Sequence, residues 1–262
     1  MKQYKKKERE VQLALGEAKS DYLEAVFTWK KVTQKEVEEK ISEVDNKESF
    51  GEDGISYGFI KKMSAWISKE LTEIMNLSLE IRVYPRRWRI ARVKPLFKGD
   101  GCDRTAPKSY RPVALLSAMS RIMEALIAKQ LDRYQEENGL VHQGVHGFRK
   151  GRGTNTAMLE VWEYVIQRTQ NSEMVALDFL DVSDGFVSLI HCNILWKMEV
   201  QFGMDQASLQ WLVSYIKDWK QYVVVEAARS KTRKTTRGAP QGGGLSPILW
   251  RCTTNDIRRQ GL

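Results

Sequence analysis

Three consecutive glycines, Gly242, Gly243 and Gly244, sit inside the stretch RGAPQGGGLSPILW, and nothing else in the 262 residues restricts the fold so sharply. Glycine lets a backbone take left-handed turns and lets a second group come close to it. A flexible linker would need neither the Ala-Pro-Gln in front nor the Leu-Ser-Pro behind. The stretch therefore reads as a built loop, with Leu245, Ser246 and Pro247 opening a helix.

The chain ahead of this loop changes period twice. MVALDFLDV, residues 174–182, is a β-rich run, SLQWLVSYIKDW is helical, and QYVVVEA is a strand that enters the basic ARSKTRKTTR. Earlier patterns are mostly helical. TQKE is a capping box from Thr33 to Glu36, followed by Val37, Ile41 and Val44 at i, i+4 and i+7. SFGEDGISYGFI reads as a glycine-bearing loop that feeds a helix from about Met63 to Arg82, ended by Pro85. RIARVKPLFKGDG reads as a basic strand broken by Pro95 and closed by a Gly-Asp-Gly turn.

Two longer helices follow. Ser117 is placed to cap one that runs to about Glu137 and stops at Gly139; Thr154 is placed to cap another, apolar at Leu159, Trp162, Val165 and Ile166. Residues up to about Lys31 read as a charged helix or the remnant of an upstream linker. Helices around a few strands, with the strands clustered late, give the α+β class, helix-rich with a small incomplete antiparallel sheet. The organisation divides into an N-terminal extension (1–48), a first lobe (49–170) and a second (171–262).

Charge narrows the partners. Lysine and arginine number 42 against 33 acids, a net charge of +9. The excess is local: residues 82–111 hold ten basic side chains and two acidic ones, with Tyr84, Trp88, Phe97 and Tyr110 interleaved. Cations displace counterions from a phosphate backbone and flat rings stack on bases, as a nucleic-acid partner would need, while charge alone favours a solvated basic face. Cys102, Cys192 and Cys252 are odd in number and have no C-x-x-C spacing, which indicates neither a disulfide framework nor zinc and suits a reducing, intracellular setting. His142, His146 and His191 lack ligand spacing and read as surface or loop residues. No stretch reaches the ~20 apolar residues of a membrane span, and no G-x-x-x-x-G-K supports an ATPase.

Phosphoryl transfer onto a growing nucleic acid needs divalent cations held by carboxylates, best placed at a strand end. Asp178 and Asp181 compete for that role. By strand alternation Asp181 shares the phase of Val175, Leu177 and Phe179, and Asp178 the other face.

Five blocks in order, VKPLFKGDG, SYRPVALLSAMSRIMEALIAKQL, HGFRKGRGT, LDVSDGF and RGAPQGGGLSPIL, resemble the reverse transcriptases of non-LTR (LINE-type) retrotransposons, from about Gly51 to the last residue. The resemblance implies right-hand polymerase-like fingers and a partial palm, RNA-directed DNA polymerase chemistry with Mg2+, and an RNA template, an RNA–DNA hybrid and deoxynucleotides as partners. The family places an aromatic sugar gate five residues after its metal-binding aspartate. That spacing selects Asp181 as catalytic metal ligand and Phe186 as gate, since five beyond Asp178 is Ser183.

Pro240, Gln241 and Gly242 match the family's nucleotide-contacting loop, where glycine permits close approach and Gln241 can hydrogen-bond. Lys94 and Lys98 are carried toward nucleotide or template phosphates, and Arg111, Arg149, Lys150 and Arg152 toward nucleic acid. The chain departs from the pattern at Val187, where the family has aspartate, and at Asp184, an added carboxylate.

The sequence given stops before the family's aromatic-x-Asp-Asp hairpin, with Asp256 the one acid after the glycine loop. The expectation is a polymerase fragment inactive as written. The alternatives are an enzyme whose aspartate pair comes from elsewhere, a non-catalytic module binding RNA or RNA–DNA hybrid, and a transposon remnant without selected function.

Overall fold

Residues 26–45, 48–182 and 185–255 are described in the computed structural model. The expected N-terminal helix up to residue 25, Asp184 and Asp256 lie outside them.

Local chemistry sets the first helices. Thr33 caps α1 (Gln34–Glu43): its hydroxyl accepts the Glu36 N–H at 3.2 Å, and the Glu36 carboxylate accepts the Thr33 N–H at 2.8 Å. That backbone hydrogen bond holds the Glu36 carboxyl below its ordinary range. Val37 and Ile41 are buried, one turn apart on one face. Ser56 caps α2 (Tyr57–Lys62), so the second half of the glycine-bearing stretch is helix rather than loop. Helix α3 (Ser64–Glu80) follows, and Arg82 turns left-handed to end the run.

The central helix is α4 (Ala118–Glu137), which buries Ile122, Met123, Leu126, Ile127 and Leu131. Ser117 stands at its cap position, yet makes no capping bond, and its hydroxyl is buried without a partner. Helix α5 (Thr154–Gln170) starts one residue earlier than expected: Gly153, not Thr154, is the cap residue, and its N–H donates to the Thr156 hydroxyl at 2.9 Å. The remaining helices are α6 (Gly185–Ser188), α7 (His191–Val200), α8 (Gln206–Ile216) and α9 (Ser246–Thr254).

Five strands form one open sheet: β1 (Ile90–Phe97), β2 (Tyr110–Leu115), β3 (Lys220–Val225), β4 (Ala228–Arg229) and β5 (Arg233–Lys234), in the order β2-β1-β3-β4 with β5 on β3. β1 runs antiparallel to β2 but parallel to β3, so the sheet is mixed and not antiparallel as expected. A parallel pair needs a long crossover, and helices α4 to α8 supply it. Pro95 does not break β1. It lies opposite Pro112, where neither residue is asked to donate, and beyond Val93 the strand no longer pairs with β3.

A single core runs from Phe27 to Cys252 and draws on all three expected segments. Its centre is an aromatic knot. Trp211 stacks on Tyr215 at 5.8 Å, and Tyr84 meets both edge-on at 5.6 and 5.0 Å.

The expected strand at residues 174–182 is not one. These residues are irregular and almost wholly exposed, Phe179 and Leu180 at 81% each. A strand exists through its ladder, and no described strand pairs with this segment.

Candidate nucleotide and template site

The glycine loop is held on three sides. The Ala114 N–H of β2 donates to the Gln241 carbonyl at 2.9 Å, the Ala239 N–H donates to the Phe186 carbonyl at 2.9 Å, and the Gly238 N–H donates to the Leu189 carbonyl at 2.8 Å. The loop also closes on itself: the Gly243 N–H and the Ser246 hydroxyl both donate to the Pro240 carbonyl at 2.9 Å. Two glycines are required by close approach. A Cβ on Gly242, whose φ is +125°, would meet the Ala114 carbonyl oxygen at 2.7 Å, and one on Gly243 would meet a Glu124 carboxylate oxygen at 2.8 Å. This is a docked loop, not a linker.

Phe186 joins the loop to the segment 142–153. Its ring lies 5.8 Å from Phe148 and 6.0 Å from Trp250, so an aromatic from each of three separated sequence blocks converges at one place. The Phe148 backbone is left-handed, at φ 55°, and buried Arg251 of α9 donates to its carbonyl at 3.0 Å. Arg251 also reaches Gln135 at 2.5 Å and Asp132 at 2.7 Å, both on α4.

The expected cations divide into two groups. Directly opposed residues of β1 and β2 share a face, so Lys94, beside Val113, lies on the same face as Arg111, which is opposite Leu96; both are exposed. Lys98 is exposed just past the end of β1, its N–H held by the Ser109 carbonyl at 2.9 Å. In the segment 142–153, Lys150 is exposed, whereas Arg149 is engaged. Its guanidinium makes a two-pronged pair with the Glu136 carboxylate at 2.6 and 2.7 Å and reaches the His142 carbonyl at 3.2 Å. Arg152 donates to the Gln143 carbonyl. Arg149 and Arg152 thus shape the turn that presents Lys150.

Asp178 and Asp181 are exposed in the irregular run, and Asp181 has no hydrogen-bond or ion-pair partner among the described residues. Among the described residues no three His, Cys, Asp or Glu side chains come together as a metal would require. The donor set around Asp181 therefore does not by itself fit a divalent cation, which takes several oxygen ligands. No described helix is long and apolar enough to cross a membrane.

Comparison with known proteins gives the family. The family described as "Reverse transcriptase (RNA-dependent DNA polymerase)" matches residues 98–261, more than half of the chain. The chain belongs to the reverse transcriptase family. Its relatives are carried by non-LTR retrotransposons. It is 28% identical over 228 residues to a probable RNA-directed DNA polymerase from transposon BS of Drosophila melanogaster, covering 87% of this chain and 25% of the relative. It is 27% identical over 241 residues to the RNA-directed DNA polymerase from mobile element jockey of the same fly, covering 90% and 26%. To the Pol polyprotein of type-1 retrotransposable element R1 of Bradysia coprophila it is 26% identical over 229 residues, covering 85% and 21%. The chain thus spans about a quarter of the length of the relatives it matches.

Within this reverse transcriptase domain, two sets of residues escaped the sequence reading. Glu124, fully buried on α4, accepts hydrogen bonds from Ser120 at 2.8 Å, Tyr84 at 3.1 Å and Tyr215 at 3.2 Å, and from the Leu245 N–H at the end of the glycine loop. Burial raises its pKa, and these donors lower it in part. Burial and the nearby Glu124 push both tyrosines well above their ordinary value. A glutamate inside an apolar helix was the available signal.

His146 is the second. It is buried, not a surface residue, and its ring nitrogens lie 2.8 Å from the Thr156 hydroxyl and 2.5 Å from the Glu160 carboxylate, tying the segment 142–153 to α5.

Proposed function

We propose that this chain is the fingers and leading palm of a retrotransposon RNA-directed DNA polymerase, and that it holds an RNA template or RNA–DNA hybrid together with the incoming deoxynucleotide. The observation that carries this reading is the meeting of Phe148, Phe186 and Trp250 beside a glycine loop docked on β2. In it, Phe186 is the sugar gate, the backbone of Pro240, Gln241 and Gly242 lies against the nucleotide, and Lys94, Lys98, Arg111 and Lys150 take phosphates. Arg149 and Arg152 act by shaping the turn. Asp181 is the first metal-ligating carboxylate, and Mg2+ would need further carboxylates brought to it from outside the described residues.

The absence of a carboxylate cluster among those residues favours binding over turnover for the chain alone. The test is RNA–DNA hybrid affinity across a salt series. The reading expects log affinity to fall linearly with log salt, and Lys94→Ala with Arg111→Ala to flatten that slope by about 0.9 for each duplex phosphate no longer neutralised. Binding that ignores both salt and the double variant would refute it.

A further inference from the structure

On the other side of β1 from the glycine loop, the starts of β1 and β3 open into a cleft of about 460 Å3. That volume falls within the roughly 300–1,000 Å3 of ligand clefts. Five of its lining side chains are cations, Arg86, Arg87, Arg89, Lys220 and Lys234, against one carboxylate, Asp218. The topology assembles them. A 3-10 turn (Arg86–Trp88) leads into β1, the parallel register sets Ile90 beside Lys220, and the β3–β5 pairing sets Lys220 beside Lys234. The glycine loop docks at Ala114 of β2, and the strand order puts β2 and β3 on opposite sides of β1.

Two of the five cations are already engaged. Arg89 donates to the Ser214 and Lys217 carbonyls at 3.1 and 3.3 Å, closing the end of α8, and Lys234 pairs with Asp218. Arg86, Arg87 and Lys220 have no carboxylate partner among the described residues. Like charges gathered at a concave surface repel until an anion enters. Burial lowers the pKa of Arg89, Asp218 opposes the shift, and Arg86 adds to it by a smaller amount.

We propose that this cleft is a second phosphate site, which grips the backbone of a single RNA strand separately from the glycine-loop site. The proposal rests on the nucleic-acid reading above. Guanidinium forks match phosphate oxygens in pairs, and Arg86 and Arg87 both line the cleft. A polymer fits better than an isolated anion because the basic path continues outside the cleft. Lys217, Lys231, Arg233 and Arg237 are all exposed along the same hairpin and its approach.

The experiment uses the full chain and a short fluorescent oligouridylate. The Arg86→Ala/Arg87→Ala double variant is expected to lose affinity roughly tenfold and to flatten the log–log salt slope by about 1.4, the single-strand value for two phosphates. A folded double variant with wild-type affinity and slope overturns the proposal. So does a loss confined to Lys94→Ala/Arg111→Ala, which leaves the sheet-face reading standing. A second measurement needs no variant: RNA should shield Lys220 and Lys234 of the unaltered chain from acetylation. Unshielded lysines overturn the proposal. Inorganic phosphate that shields them as well as RNA does, at equal phosphate concentration, also overturns it, because the site would then take the free ion.

Discussion

Helices α4 and α5 are alike in sequence and opposite in circumstance. Both are long, both carry an apolar stripe, and yet α4 buries ten of its 20 residues while α5 buries none of its 17. Leu159 and Trp162 of α5 stand 68% and 57% exposed, and in the irregular run that follows Phe179 and Leu180 are exposed as well. An amphipathic pattern states that a face is to be covered; it does not name the cover. Helix α4 finds its cover in α1, α9 and the aromatic knot. His146 covers α5 in part, but Leu159, Trp162 and the run 174–182 stay exposed among the described residues, and the chain spans about a quarter of its relatives' length.

The comparison breaks or sharpens under mutation, first at its strongest point. Leu131→Ala empties a fully buried position on α4 and should cost about 2–5 kcal/mol, read from denaturant unfolding. A loss under about 1 kcal/mol, on the order expected of a surface site, would show that α4 is not the closed side.

The loop docked against α4 is tested next. Gly242→Ala places a methyl group at the Ala114 carbonyl in left-handed backbone and should destabilise by about 1–3 kcal/mol. Unchanged melting would mean that the loop is free of β2.

Glu124 links the loop to the core and gives a smaller, pH-dependent signal. Its pKa is raised above 4.5 by burial, so its contribution is fully present below 4.5 and is lost as pH rises through the folded value. Melting of the wild type relative to Glu124→Gln should therefore worsen from about pH 4 toward neutrality. A difference that does not change with pH, or that changes the other way, would contradict the buried setting. Leu159→Ala on α5 should be smallest, within about 0.5 kcal/mol. A cost of several kcal/mol would mean that α5 is covered after all.

Legibility in the sequence followed locality. The Thr33 capping box and the extents of α3 and α4 rest on neighbouring residues and appear in the structure as read. What depends on distant partners did not show. The parallel pairing of β1 with β3 joins residues some 130 apart, and no local signal distinguishes it from an antiparallel neighbour. The run 174–182 has strand composition, but composition supplies no second edge. Arg149 looked like an open cation because its partner, Glu136, lies 13 residues back across a turn. His146 and Glu124 looked ordinary because their partners lie on other helices. For the site, the residue types were readable, and the division between cations that hold the fold and cations left free was not.

The central claim is that one half of the site is built and closed while the acid-bearing half stands open. Amide hydrogen exchange read by mass spectrometry tests it most directly. The account predicts strong protection for β1, β2 and α4, measurable protection at the hydrogen-bonded amides of residues 238–245, and exchange at free-peptide rates across residues 174–182. Protection of 174–182 equal to that of α4, or free exchange throughout 238–245, would contradict it.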